Sequence, residues 1–306
     1  MNNKEEKQWL WVGKIANKTL AKAAEIIHEG MPLLELAEKL ENYIRGYAAP
    51  AFPVNISINH VAAHYSPKLS DESTIPKGSL VKIDVGVQKN GFIADTAITI
   101  SFNSNLEDLA KASFEALINA EAFIMPNVNT GAIGSKIEKT ITGYGFKPIK
   151  NLTGHKILRY NLHAGKTIPN TKTIFGDKVF EGEVYAIEPF ATNGTGYVVE
   201  SNEGYIYRVI SVKKTGDKYM DSVLREMWKR FKSLPFSERW LTSFVSKEKV
   251  KDVLRWLLSK KAIMVYPVLV EKKRGYVSQF EDTVIVTNEG PIITTNVAKI
   301  VKEYFY

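Results

Sequence analysis

Between Ser79 and Ser101 the chain reads SLVKIDVGVQKNGFIADTAITIS, with apolar and polar positions alternating on either side of Asn90-Gly91. Both residues of that pair tolerate positive φ, which predicts a type I′ turn and a hairpin setting Gln88 opposite Ile93, Gly86 opposite Asp95 and Asp84 opposite Ala97. One face then gathers Ile83, Val85, Val87, Phe92, Ile98 and Ile100, and predicts core. The other carries Asp84, Gly86, Asp95 and Ala97, with the two acids at diagonal positions roughly 7–8 Å apart at the backbone. Two carboxylates converging beside a glycine that leaves room either hold a cation between them or stand solvated on a wet sheet face.

The same patterning orders the rest of the chain. Leu10, Ile15, Ala16, Leu20, Ala23 and Ile27 predict an amphipathic helix over 4–28, stopped at Gly30, with His28 near its C-terminus as a surface dipole partner. A second helix over 32–47 carries Leu33, Leu36, Ala37, Leu40 and Ile44 behind Pro32. Pro50 and Pro53 enforce extended chain into a strand through Val54, Ile56 and Ile58. Helices follow over 105–125, closed by Pro126, and over 130–142, ended by Gly143. Strands dominate from 147 to 199, three short basic helices occupy 217–261, and a hairpin turned at Lys273–Gly275 spans 263–287.

Composition narrows the class. With 306 residues, 44% apolar and 24% charged, the chain is globular. No run approaches 18 apolar residues and the first residues, MNNKEEKQ, are polar, so neither a membrane span nor a signal peptide is expected. Cysteine is absent, which excludes thiolate metal sites and fits a cytoplasmic protein. Residues 211–261 hold 14 Lys or Arg against 6 Asp or Glu, an excess equal to the whole net charge of +8. That segment is either a solvated helical surface or the part that nucleic acid or a ribosome attracts.

Five histidines occur, and four fall in the strings NHVAAH and GHKILRYNLH. His155 and His163 are eight apart, which places both on one face if a single strand joins them. Glu188 in VYAIEPF and Glu281 in YVSQFEDTVIV interrupt apolar strands, where a lone carboxylate is costly unless protonated or paired with a cation. Asp84, Asp95, Glu188, Glu281 and His155 together are too much negative charge for one divalent ion and suit two.

In order, Asp84, Asp95, His155, Glu188 and Glu281 resemble the dimetal ligands of the pita-bread metallopeptidases. The strings AFP at 51–53, AAHY at 62–65, NLTGH at 151–155, LHAGKTIP at 162–169, EVYAIEPF at 183–190 and QFEDT at 279–283 are similar to those of type 2 methionine aminopeptidases, in a compact archaeal style. The resemblance covers nearly the whole chain. It implies an α+β pita-bread fold, a curved antiparallel sheet covered by helices in pseudo-two-fold halves, formed by 1–205 and 266–306, with a basic helical subdomain inserted at 206–265.

It further implies two divalent ions, Co, Mn, Fe or Zn. Asp84 would serve one, His155 and Glu188 the other, and Asp95 and Glu281 both, with Glu188 also moving the proton. His64 and His163 would hold the scissile group, and Phe52, Leu162 and Tyr266 would wall the methionine pocket. The activity implied is removal of the first Met from new polypeptides with a small second residue, by a cytoplasmic monomer that makes no membrane contact and could touch the ribosome through its basic insert. Alternatives are a prolidase or aminopeptidase P, and a non-catalytic ribosome- or RNA-binding relative. Asp282 stands where a His is common in the family, and His60 where a small polar or acidic residue is usual.

Overall fold

The computed structural model describes residues 1–305. Its elements follow in the order α1 (Asn3–Ile26), α2 (Leu33–Arg45), β1 (Ala49–Ile58), β2 (Val61–Ala63), β3 (Leu80–Lys89), β4 (Phe92–Ser101), α3 (Glu107–Glu121), α4 (Thr130–Gly143), β5 (Lys147–Pro148), β6 (Thr153–Ile157), β7 (Thr167–Pro169), β8 (Val184–Ile187) and β9 (Phe190–Thr192). Then come β10 (Val198–Glu200), β11 (Ile206–Val209), α5 (Lys218–Phe231), β12 (Phe236–Ser237), α6 (Glu238–Leu241), α7 (Val250–Ser259), β13 (Ile263–Tyr266), β14 (Leu269–Glu271), β15 (Val277–Gln279), β16 (Asp282–Ile285), β17 (Ile292–Ile293) and α8 (Val297–Tyr304).

The hairpin forms as its sequence dictates. β3 and β4 pair from Leu80↔Ser101 to Lys89↔Phe92, with Gly86 opposite Asp95. Asn90 and Gly91 turn with φ of 55° and 85°, the left-handed pair that a type I′ loop needs. β1 joins the free edge of β3. Behind this sheet lie α1 and α2, whose Leu20, Leu36 and Leu40 share one core with Ile83, Val85, Ile98 and Ile100. Leu10 is exposed, and Trp9 and Val12 take its expected place inside.

A second sheet runs β17-β16-β8-β6-β7. α3 and α4 cover it and carry Leu109, Ala116, Ile133 and Ile137 into the same core. α3 stops at Glu121, a turn before Pro126. β4 meets β16, and β15 just before it, along a stitched seam. Thr96 Oγ1 donates to the Glu281 carbonyl (2.7 Å), Thr99 Oγ1 to the Gln279 carbonyl (2.6 Å) and Thr283 Oγ1 to the Asp95 carbonyl (2.7 Å). Ala97 and Glu281 exchange both backbone bonds, so the seam sets Glu281 opposite Ala97 and diagonal to Asp95, two residues before Ala97.

Residues 263–287 depart from the expected hairpin. The chain does turn over 272–275, where the buried Glu271 carboxylate accepts the amides of Lys273 (2.7 Å) and Gly275 (3.0 Å). Its arms then pair elsewhere: β14 with β10 and β2, β15 with β9, and β16 with β8. The basic segment also holds more than helices, because β12, β11 and β13 form a small sheet. One face of that ribbon, with Tyr207, Val209 and Ile263, joins Leu224, Met227, Val253 and Leu257 in a separate core. A latch ties this unit to the body. Arg239 grips the fully buried Glu41 carboxylate with two nitrogens (2.9 and 2.6 Å), and Trp240 Nε1 donates to it at 2.6 Å.

Candidate metal centre and substrate cleft

One cleft is lined by all ten residues singled out in the sequence: Phe52, His64, Asp84, Asp95, His155, Leu162, His163, Glu188, Tyr266 and Glu281. The hairpin supplies Asp84 and Asp95, β6 supplies His155, and Glu188 and Glu281 sit at breaks beside β8 and β16 rather than inside strands. Gly154, just before His155, lies where any side chain would strike the Ala186 carbonyl, so glycine lets β6 reach β8.

His155 and His163 do meet, with ring centroids 4.3 Å apart. They do so by a different route from the shared strand that their spacing suggests. β6 ends at Ile157, and a tight turn closed by Leu158 and Asn161 sends His163 back over His155. The room beside Gly86 is also used differently: the Phe52 ring fills it, inside contact distance of any β-carbon placed there.

The donor set fits a divalent cation. Donor atoms of Asp95, His155 and Glu281 lie within 4.8 Å of one another. His155 Nε2 is 3.5 Å from both Asp95 Oδ2 and Glu188 Oε1. That is long for hydrogen bonds, yet close to the separation of about 3.4 Å between two ligands each about 2.1 Å from one ion. Asp84 Oδ1 and Glu281 Oε1 are buried with no hydrogen-bond partner. Burial, then the Asp95 charge, pushes the carboxyls of Asp84, Glu188 and Glu281 well above the usual range, and a cation among them relieves both causes.

The neutral histidines frame the cleft. Burial lowers His64. Its Nδ1 is 3.1 Å from the Pro267 carbonyl, which can only accept, so Nδ1 carries the proton and Nε2 is left as an acceptor. Its backbone has φ of 66°, an unusual setting that aims the ring. Burial, then the neighbouring His155, His64 and Arg208, lowers His163 to about 3. Tyr266 packs edge-on to His64 with centroids 5.5 Å apart.

Asn55, Ile206, Pro235 and Gln279 line the cleft as well and were not expected there. Gln279 was the findable one, since it lies only two residues before Glu281 in the string QFEDT. Its amide donates to Glu281 Oε2 (3.1 Å) and reaches Glu188 Oε2 (3.5 Å). The departure at Asp282 has a local reason: its carboxylate accepts the Thr295 hydroxyl and the Val297 amide (3.0 Å), and so caps α8. A larger groove of about 720 Å³ between α2 and the basic unit borders the cleft only at Pro235 and holds none of these acids.

An acid-rich, imidazole-containing cleft with no thiolate is that of a metal-dependent hydrolase. The chain belongs to metallopeptidase family M24, whose model matches residues 11–288, and its α+β architecture is the pita-bread fold of that family. A curated relative from Archaeoglobus fulgidus, a methionine aminopeptidase, is 43% identical over 297 residues, covering 96% of this chain and all of the relative. Two solved structures share the fold. A thermophilic Arx1 has a TM-score of 0.83 at 19% identity, over 96% of this chain and 91% of its own, and the methionine aminopeptidase of Rickettsia prowazekii has 0.70 at 20%, over 96% and 98%.

Proposed function

We propose that this chain removes the initiator methionine from polypeptides with a small second residue, as a type 2 methionine aminopeptidase that uses two divalent ions. The supporting observation is the meeting of Asp84, Asp95, His155, Glu188 and Glu281 in one cleft walled by Phe52, Leu162 and Tyr266. The name and full-length coverage of the curated relative favour this over the prolidase and non-catalytic readings. Asp84 would hold one ion, His155 and Glu188 the other, and Asp95 and Glu281 would serve both. When bound, such ions supply Lewis acidity and activate water at neutral pH.

The protein's own groups do the rest. Phe52, Leu162 and Tyr266 exclude water around the Met side chain. His163, neutral at working pH, donates to the carbonyl oxygen as charge grows there. His64 Nε2 accepts the scissile N–H and orients the leaving nitrogen. Glu188 takes the proton of the attacking water and passes it to that nitrogen, while the Gln279 amide holds Glu188 and Glu281 in place.

No described helix is long and apolar enough to cross a membrane. We assign the enzyme to the cytoplasm as a monomer, with residues 206–265 as an inserted subdomain whose basic surface meets the ribosome. The assay is Met release from Met-Ala-Ser with added Mn or Co. Wild-type release, abolished in Asp84→Ala and Glu281→Ala, is expected; full activity in both variants overturns the assignment.

A further inference from the structure

The β11–β13 ribbon has two faces with two neighbours. Tyr207, Val209 and Ile263 enter the core of the basic unit, and Ile206 and its cross-strand partner Tyr266 wall the catalytic cleft. Arg208 stands on the cleft-facing side, because residues two apart on a strand share a face. It lies about 7 Å beyond Ile206 along the strand, opposite Met264.

Its guanidinium is half-buried, and Nε is fully buried with no hydrogen-bond partner. Among the described residues Arg208 takes part in no ion pair, unlike the buried Arg239 with its Glu41. It acts on the cleft all the same: its charge and its hydrogen bond to the Tyr266 side chain oppose the effect of burial on that phenol, and it adds positive charge near His163. Tied to the Tyr266 side chain but with Nε left unpartnered and no carboxylate beside it among the described residues, this guanidinium keeps N–H donors that suit a planar anion.

We propose that Arg208 is a specificity residue that binds a carboxylate on the third residue of the peptide. The proposal rests on the function argued above. With the first residue held by the Met pocket, an extended peptide advances about 3.4 Å per residue. Its third residue therefore lies about 7 Å further out, the same step that separates Arg208 from Ile206. The carboxylate is either an acidic side chain at that position or the C-terminus of a tripeptide.

The test compares kcat/KM for four peptides in the metal-loaded enzyme: Met-Ala-Ser, Met-Ala-Ser-amide, Met-Ala-Asp-Ser-amide and Met-Ala-Lys-Ser-amide. The wild type is expected to favour the free acid over its amide, Asp over Lys, or both, by about tenfold, with the difference in KM. The first comparison reports a terminal carboxylate and the second a side chain. In Arg208→Met the ratios fall to about one; in Arg208→Lys, which keeps the charge, part of the preference stays. Equal ratios in wild type and Arg208→Met overturn the proposal. So does a uniform loss on all four peptides that Tyr266→Phe reproduces, which marks Arg208 as a support for Tyr266 alone. If the wild type releases no Met from any peptide, the functional assignment itself fails; release without charge preference removes only Arg208's role.

Discussion

The Phe52 ring lies where a side chain on Gly86 would have to go. The two residues are cross-strand partners of β1 and β3, so the bare backbone at 86 is the floor on which one wall of the proposed Met pocket rests. Gly86→Ala must displace that ring. Overpacking of this kind costs about 1–3 kcal/mol, and a misplaced pocket wall costs about tenfold or more in selectivity. We expect KM for Met peptides to rise about tenfold with a lowered melting temperature, measured by peptide kinetics and calorimetry; an unchanged KM removes Phe52 from the pocket.

Metal and pH act on the same acids. Asp84, Glu188 and Glu281 bind protons more tightly folded than unfolded when no cation is present. The unfolded state therefore holds fewer protons, and stability falls as pH rises from the ordinary carboxylate range of about 4 toward the raised values. Chelated protein should melt at progressively lower temperature from about pH 5 to pH 8. Added Mn should raise the melting temperature most at the alkaline end. A melting temperature of chelated protein that is flat or rising with pH contradicts this.

His64 tests the tautomer argument. Asn tolerates the left-handed backbone at this position, so His64→Asn keeps the local fold and removes the Nε2 acceptor. Loss of a positioned proton-handling group costs about 10²-fold or more. The expected result is kcat lowered to that extent with metal content unchanged by elemental analysis. Loss of metal instead would make His64 a ligand or its support.

The Glu41–Arg239 latch predicts a selective loosening. With both side chains almost wholly buried, Glu41→Ala strands a guanidinium out of water, at a cost of about 3–5 kcal/mol. Limited proteolysis should then cut first within 206–265. The double change Glu41→Met with Arg239→Leu should recover much of the loss, since an apolar pair needs no counter-charge. Unaltered proteolysis in Glu41→Ala would show that the latch holds nothing.

How much was legible in the sequence depends on how local the signal is. Asn90-Gly91 carries its turn in two residues, so register, core face and the facing of Asp84 and Asp95 followed directly. His155 and His163 were paired for the wrong reason: an even spacing says nothing about the Leu158–Asn161 turn that folds one ring over the other. The 263–287 stretch misled because its strands are three or four residues long and each pairs with a partner remote in sequence. Ile206 and Pro235 gave no sign at all, since nothing local marks a residue of the basic unit as part of the cleft. Asp282 looked like a departure near the metal and is a helix cap, because its side chain points to the far face of the strand from Glu281.

The stitched seam has a consequence in time. Glu281 is brought beside Asp95 by the bonds of Thr96, Thr99 and Thr283, which need β15 and β16 to be in place. The hairpin, by contrast, is complete by Ser101. During its own synthesis the chain thus carries Asp84 and Asp95 long before their partners exist, and the last acid emerges only with the closing strands. The proposed ligand set is thus split along the chain, and the cleft gains its last acid only when the closing strands have been made.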